Sequence, residues 1–156
     1  MIDKQGLLQP VELFVGLSDS ALDRFAQVIN RKSYLRGDTI YKEDNLGDNL
    51  YIIKRGEIKL SRIIREAEEQ TLVQLGDGQY FGAISFLDGG RHTASAKAMG
   101  DSEVFTLSRE DFKRIAQQDP AAGIKVLQNI SKSLCNYMRL INGKFMDMIQ
   151  YVSLDR

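Results

Sequence analysis

The chain has 156 residues, 43% of them hydrophobic and 27% charged, with 21 Lys plus Arg balanced by 21 Asp plus Glu. That length and apolar share call for one domain with a real core and exclude disorder, and the zero formal net charge excludes a protein that coats nucleic acid or an anionic membrane surface. A single histidine, His92, and a single cysteine, Cys135, leave too few ligands for a zinc centre or a disulfide framework. A serine triad lacks its Gly-x-Ser-x-Gly elbow, so an enzyme is not expected.

No run approaches the roughly 20 apolar residues a membrane span needs. Met1–Pro10 carries Asp3 and Lys4 ahead of any apolar stretch, unlike a signal peptide. With one cysteine, this suits a cytoplasmic location. Asn129-Ile130-Ser131 spells a glycosylation acceptor, but without a secretory signal it reads as ordinary sequence.

Ser18 to Asn30 reads as a helix. Ser18 or Ser20 can cap it, Leu17 can staple it, and Ala21, Leu22, Phe25, Val28 and Ile29 fall on one face. From Lys32 to Leu107 short β-rich runs follow: Thr39–Tyr41, Asn49–Lys54, Glu57–Ile64, Gln70–Leu75, His92–Ala98 and Glu103–Leu107. Glycine-bearing turns separate them, among them Arg36-Gly37-Asp38, Leu46-Gly47-Asp48, Arg55-Gly56-Glu57 and Asp88-Gly89-Gly90. Arg36-Gly37-Asp38 is read as a strand-entry turn, not as the adhesion tripeptide it also spells. Strands at this spacing predict a sandwich, barrel or jelly roll. The charged run Arg62–Glu69 reads as a solvated hairpin.

Ser108-Arg109-Glu110-Asp111 starts a second helical region, with an acid at N3 behind a serine cap and Phe112, Ile115 and Ala116 inward. Asp119-Pro120 breaks it and sets Pro120 in the first turn of a last helix, Ala121–Tyr151. Along that helix Ile124, Leu127, Ser131, Leu134, Met138, Ile141, Phe145, Met148 and Val152 follow alternating steps of three and four, and only Ser131 is polar. This heptad seam predicts burial against a partner helix, hence a homodimer through Leu127, Leu134, Met138, Ile141, Phe145 and Met148. The helix is also longer than the roll beside it. Asn142-Gly143 could kink or end it. Cys135 reads as a small hydrophobe of the interface or core.

The most informative segment is Phe81-Gly82-Ala83-Ile84-Ser85-Phe86-Leu87-Asp88-Gly89-Gly90-Arg91-His92-Thr93-Ala94-Ser95-Ala96-Lys97-Ala98. It reads as strand, glycine turn, one short helical turn, Gly-Gly corner and strand. Such a loop can present backbone N–H groups to an anion, with a basic side chain completing the site.

Here the chain resembles the cyclic nucleotide-binding domain family, the type found in the catabolite activator protein and the cAMP-dependent protein kinase regulatory subunit. Leu13-Phe14-Val15-Gly16-Leu17-Ser18 is similar to the family's opening helix, and Arg36 to Ile40, Leu50 to Ile58 and Tyr80-Phe81-Gly82 to its strands and turns. Residues 81–98 stand in the place of its phosphate-binding cassette. The resemblance implies a mainly β fold, a double-stranded β-helix or jelly roll with flanking helices and a long C-terminal helix. It also implies one domain over 1–156, divided into an N-terminal helical segment (1–30), a β-roll (31–107) and C-terminal helices (108–156). By the same analogy Phe81, Gly82, Ala83, Ile84, Ser85, Arg91, His92, Thr93 and Ala94 line the ligand site, cAMP or cGMP is the candidate ligand, and no cofactor is required. Tyr137 and Met138 lie near where the family's helix caps the purine, though Met138 is also a seam residue.

Two positions depart from the family pattern. Ala83 stands where a glutamate usually holds the ribose hydroxyl, and a methyl group cannot accept that bond. Aligning Thr93-Ala94-Ser95 puts His92 where an arginine usually grips the phosphate. A register one residue shorter would bring in Arg91 instead, since neighbouring strand residues face opposite ways. Neutral imidazole is a poor stand-in for a bidentate guanidinium. His92 could equally be an ordinary strand residue.

Two readings follow. One is a sensor in which a cyclic nucleotide or other small anion shifts the C-terminal helix and so an effector protein. The other is a dimerisation or interaction module whose pocket has lost its ligand. A DNA-binding regulator would need a helix-turn-helix domain that this sequence lacks, and a cupin-type metalloenzyme would need more histidines.

Overall fold

The computed structural model describes residues 8, 11–65 and 67–154. Met1–Pro10, read above as unlike a signal peptide, lies outside them except for Leu8. A 3₁₀ turn, Glu12–Phe14, leads into α1, Asp19–Val28, capped by the Ser18 hydroxyl accepting from the Ala21 N–H at 3.3 Å. Eight strands follow: β1 (Asn30–Tyr34), β2 (Thr39–Tyr41), β3 (Asn49–Arg55), β4 (Ile58–Arg65), β5 (Glu68–Leu75), β6 (Tyr80–Phe81), β7 (Ser95–Ala98) and β8 (Ser102–Ser108). A short helix α2, Ala83–Asp88, lies between β6 and β7, and α3 (Arg109–Gln118) and α4 (Pro120–Leu154) close the chain.

The strands form two four-stranded antiparallel sheets, β1-β8-β3-β6 and β2-β7-β4-β5. This mainly β architecture with a long C-terminal helix is the jelly roll the sequence called for. Two-residue periodicity lets one strand serve two cores. Leu50 and Ile52 of β3 face the helices, packing with Phe25, Phe112, Val126 and Ile130, while Tyr51 and Ile53 point between the sheets with Ile58, Phe81 and Val104. β8 alternates likewise, Val104 inward and Phe105 and Leu107 toward the helices.

Two differences from the sequence reading have clear causes. β1 was not expected, because Asn-Arg-Lys-Ser-Tyr shows no apolar alternation; it exists through its pairing with β8, Asn30 opposite Thr106 to Tyr34 opposite Ser102. The strand expected from His92 begins only at Ser95, since the backbone of His92 is taken up by the 42–47 loop: its N–H donates to Asn45 O at 2.8 Å and its carbonyl accepts from Asp44 N at 2.9 Å.

The Ser108 cap is as expected, its hydroxyl accepting from Asp111 N at 3.0 Å. Asp119 then links α3 to α4, accepting from Ala122 N at 3.1 Å and from the Arg24 guanidinium at 2.6 Å. α4 runs unbroken through Asn142-Gly143, about 52 Å at 1.5 Å per residue. Its first half buries Ala122, Val126 and Ile130. Asn129, the would-be glycosylation acceptor, instead donates its side-chain amide to the carbonyls of Leu13 and Val15, both at 2.9 Å. From Cys135 to Leu154 every residue is exposed, including Met138, Ile141, Phe145 and Met148, so Cys135 is not a core residue. Among the described residues no helix is long and apolar enough to cross a membrane, and no cluster of His, Cys, Asp and Glu could hold a metal ion.

Candidate functional site

Strand β6 ends in Gly82, whose φ of +81° turns the chain sharply into α2. A side chain there would meet the Tyr51 ring at 3.0 Å and Asn49 O at 3.1 Å, so backbone conformation and space both demand glycine. Helix α2 ends at Gly89, and Gly89-Gly90 swings the chain back past Arg91 and His92 into β7. The sequence 81–98 therefore folds into a hook, the expected strand, glycine turn, short helix and Gly-Gly corner, with its last strand starting later, at Ser95.

Inside the hook lies a cavity of about 250 Å³. Its walls include Phe81, Gly82, Ala83, Ile84 and Ser85 and also His92, Thr93 and Ala94. Leu60, Val73 and Leu75 line it too, as do Glu12, Gln79 and Tyr80. Ser133, Leu134 and Tyr137 of α4 also line it, whereas Met138 is not among its walls. Of the residues expected at the site, all but Arg91 line this cavity. Arg91 turns outward, its guanidinium donating to Asp44 O at 2.6 Å. Of the two registers, the structure thus has the one that points His92 inward.

His92 is only 5% exposed. Its Nδ1 lies 3.0 Å from the buried Ser85 hydroxyl, and its ring stacks on Tyr41 at a centroid distance of 3.5 Å and an angle of 7°. The ring edge presses on Gly47: a Cβ there would sit 2.4 Å from Cε1 and 2.5 Å from Nε2. Burial lowers the imidazole pKa from its usual value, with Asp48 pulling weakly the other way, so the ring is held neutral. Tyr41 packs in turn on Tyr51 and Phe81, and burial pushes its phenol pKa far up. Each ring is fixed by the next.

Tyr80 differs. Its hydroxyl is buried with no partner of hydrogen-bond geometry, although the nearby Ser133 hydroxyl favours its ionised form against the burial that raises its pKa. Among the described residues no Lys or Arg lines the cavity, and Glu12 is its one carboxylate.

The sequence reading missed Arg109, which it saw only as one residue of a helix start. From the first residue of α3 its Nε donates to Phe86 O at 2.7 Å, and its Nη2 donates to Ser85 O at 2.6 Å and Gly47 O at 2.9 Å. One guanidinium thus satisfies carbonyls at the end of α2 and ties them to the loop that backs His92. These acceptors lie 23, 24 and 62 residues away in the chain, beyond any local pattern. Tyr41 was missed for the same reason.

Residues 31–119 match the family model described as cyclic nucleotide-binding domain. Over 81% of its length the chain is 34% identical to the cyclic AMP receptor protein of Thermus thermophilus, covering 57% of that protein. Over 92% it is 25% identical to the CRP-like cAMP-activated global transcriptional regulator of Mycobacterium tuberculosis, covering 62% of it. The chain thus spans about three fifths of these relatives. Among solved structures, the catabolite activator protein of T. thermophilus superposes with a TM-score of 0.77 at 32% identity, covering 86% of this chain and 61% of that one. A cyclic nucleotide-binding domain from Methylobacillus flagellatus gives a TM-score of 0.80 at 23% identity over 91% and 80%, a likeness of fold.

Proposed function

The chain belongs to the cyclic nucleotide-binding domain family, and on that footing we propose that it is a regulatory sensor module of the cytoplasm and not an enzyme. The β-roll, 31–107, reads a small molecule; the helices of 108–156, with the N-terminal segment 1–30 against them, pass the reading to an effector protein. The observation that carries this is the shared wall of the cavity. Ala83 to Ser85 and His92 to Ala94 of the roll face Ser133, Leu134 and Tyr137 of α4 across one space. A ligand that fills it touches both, so its binding energy differs between positions of α4, which is what a switch requires.

Self-association completes the module. The exposed seam of Leu127, Met138, Ile141, Phe145 and Met148, continuing from half-buried Leu134, is too apolar to stay in water and has the spacing of a two-stranded coiled coil. We place a homodimer there.

Cyclic AMP, named for both relatives, is the first ligand to test, with cGMP beside it. Its affinity should be weak. Ala83 offers no acceptor and His92 no charge, and each charge-assisted contact is worth about 1.5–3 kcal/mol, so the loss amounts to two or more decades. Calorimetric titration of both nucleotides decides: weak or absent binding is expected, and submicromolar binding would remove the argument from Ala83 and His92. These two positions also favour the second reading, a dimerisation module that no longer uses its pocket. Light scattering that stays dimeric, with α4 indifferent to every ligand, would select it.

A further inference from the structure

The walls of the cavity specify a ligand class more narrowly than the family does. Resting on the sensor reading, we infer that the cavity takes an uncharged, largely apolar small molecule bearing a hydrogen-bond acceptor that meets the Tyr80 hydroxyl, in place of a phosphate diester.

Three observations carry this. First, charge: among the described residues no cation faces the cavity, and its one carboxylate, Glu12, repels anions. A phosphate there would lose hydration with no cation to offset its charge. Second, the commitments of His92: Nδ1 is engaged with Ser85, one ring face lies on Tyr41, and the edge abuts Gly47, so the ring is wall and not ligand-seeking arm. Third, the Tyr80 hydroxyl is buried, belongs to a residue of the cavity wall and makes no hydrogen bond of good geometry even to nearby Ser133, while Leu60, Leu75, Phe81, Ile84 and Leu134 make the cavity lining largely apolar. A buried hydroxyl without a partner is the feature of the cavity that asks for an acceptor. A void of about 150 Å³ suffices for benzene; 250 Å³ therefore admits a molecule of bicyclic size.

Such a ligand would lie against Tyr80 of the roll and Ser133 of α4, at the joint the sensor reading needs.

The test uses the full chain and Prodan, an uncharged naphthalene with a ketone acceptor whose emission shifts on leaving water. The expected result is saturable one-to-one binding at micromolar concentrations, not displaced by millimolar cAMP or inorganic phosphate. Tyr80→Phe should weaken it about fivefold to tenfold, the loss of one hydrogen bond. Val73→Trp should abolish it, filling the cavity from edge strand β5, where an aromatic residue is well tolerated. Circular dichroism confirms that both variants fold. Prodan binding that Val73→Trp leaves intact places the probe elsewhere, the apolar face of α4 included, and overturns the inference. Micromolar or tighter cAMP binding that displaces Prodan overturns it while leaving the sensor reading standing. If the folded protein binds neither Prodan nor a cyclic nucleotide, both fail together.

Discussion

Arg109→Ala isolates the most concentrated polar contact in the site. Its guanidinium makes three bonds, to Phe86 O, Ser85 O and Gly47 O, at 2.7, 2.6 and 2.9 Å. A hydrogen bond from a charged donor contributes about 1.5–3 kcal/mol, but the side chain is only half-buried and water can reach some of the stranded carbonyls. The three together are therefore worth roughly 2–4 kcal/mol, less than their sum. For a domain of this size that lowers Tm by roughly 5–15 °C. Arg109→Lys keeps the charge but not the fork, and should recover only a fraction of the loss. Hydrogen exchange localises the effect: the Phe86 and Gly89 amides, which bond Gly82 O and Ser85 O within α2, should lose protection before β3 or β8 does. An Arg109→Ala protein melting within about 2 °C of wild type, or one whose α2 stays protected, would refute the assigned role.

Gly47→Ala places a methyl group 2.4 Å from the His92 ring and 2.6 Å from Ser85 Oγ, and should cost about 1–3 kcal/mol in urea unfolding. In a His92→Ala background the penalty should fall to the part owed to Ser85; equal costs in both would break the assigned contact. His92, the one histidine, has a lowered folded pKa, so the unfolded chain binds its proton first as pH falls. Its contribution is full above about 6.5, the unfolded value, and is lost as pH drops from there through the folded pKa. Melting from pH 7.5 to 5 should show a stability slope that His92→Phe removes. Ala83→Glu with His92→Arg should raise cAMP affinity at least about tenfold by calorimetry, restoring one charge-assisted contact or more; no gain would mean the cavity cannot admit the nucleotide. Ile141→Asp with Phe145→Asp should convert the expected dimer to monomer in light scattering, with the roll still folded; an unchanged mass would move the interface off α4.

What could be read in the sequence was what local chemistry determines. Ser18 and Ser108 announce their helices because the cap is a bond across three residues. Gly82 announces its turn because no other residue takes that backbone without strain. The α4 seam is periodic, so the helix and its approximate length were visible. β1 was hidden because its partner, not its composition, makes it a strand. Of the site, the hook and its lining residues could be placed by motif order, but the choice between Arg91 and His92 depended on where the strand begins, which the 42–47 loop decides. Arg109 and Tyr41 act on residues distant in the chain, and no window of sequence contains both ends of such a contact.

The two bonds from Asn129 to the carbonyls of Leu13 and Val15 have a mechanical consequence. They tie the opening 3₁₀ turn to the shaft of α4. If α4 moves as the sensor reading proposes, that turn would be carried with it, and Glu12, which sits on the turn and lines the cavity, would shift along with Ser133. The chamber would therefore change shape from two walls at once, and a small rotation would be felt by its occupant twice.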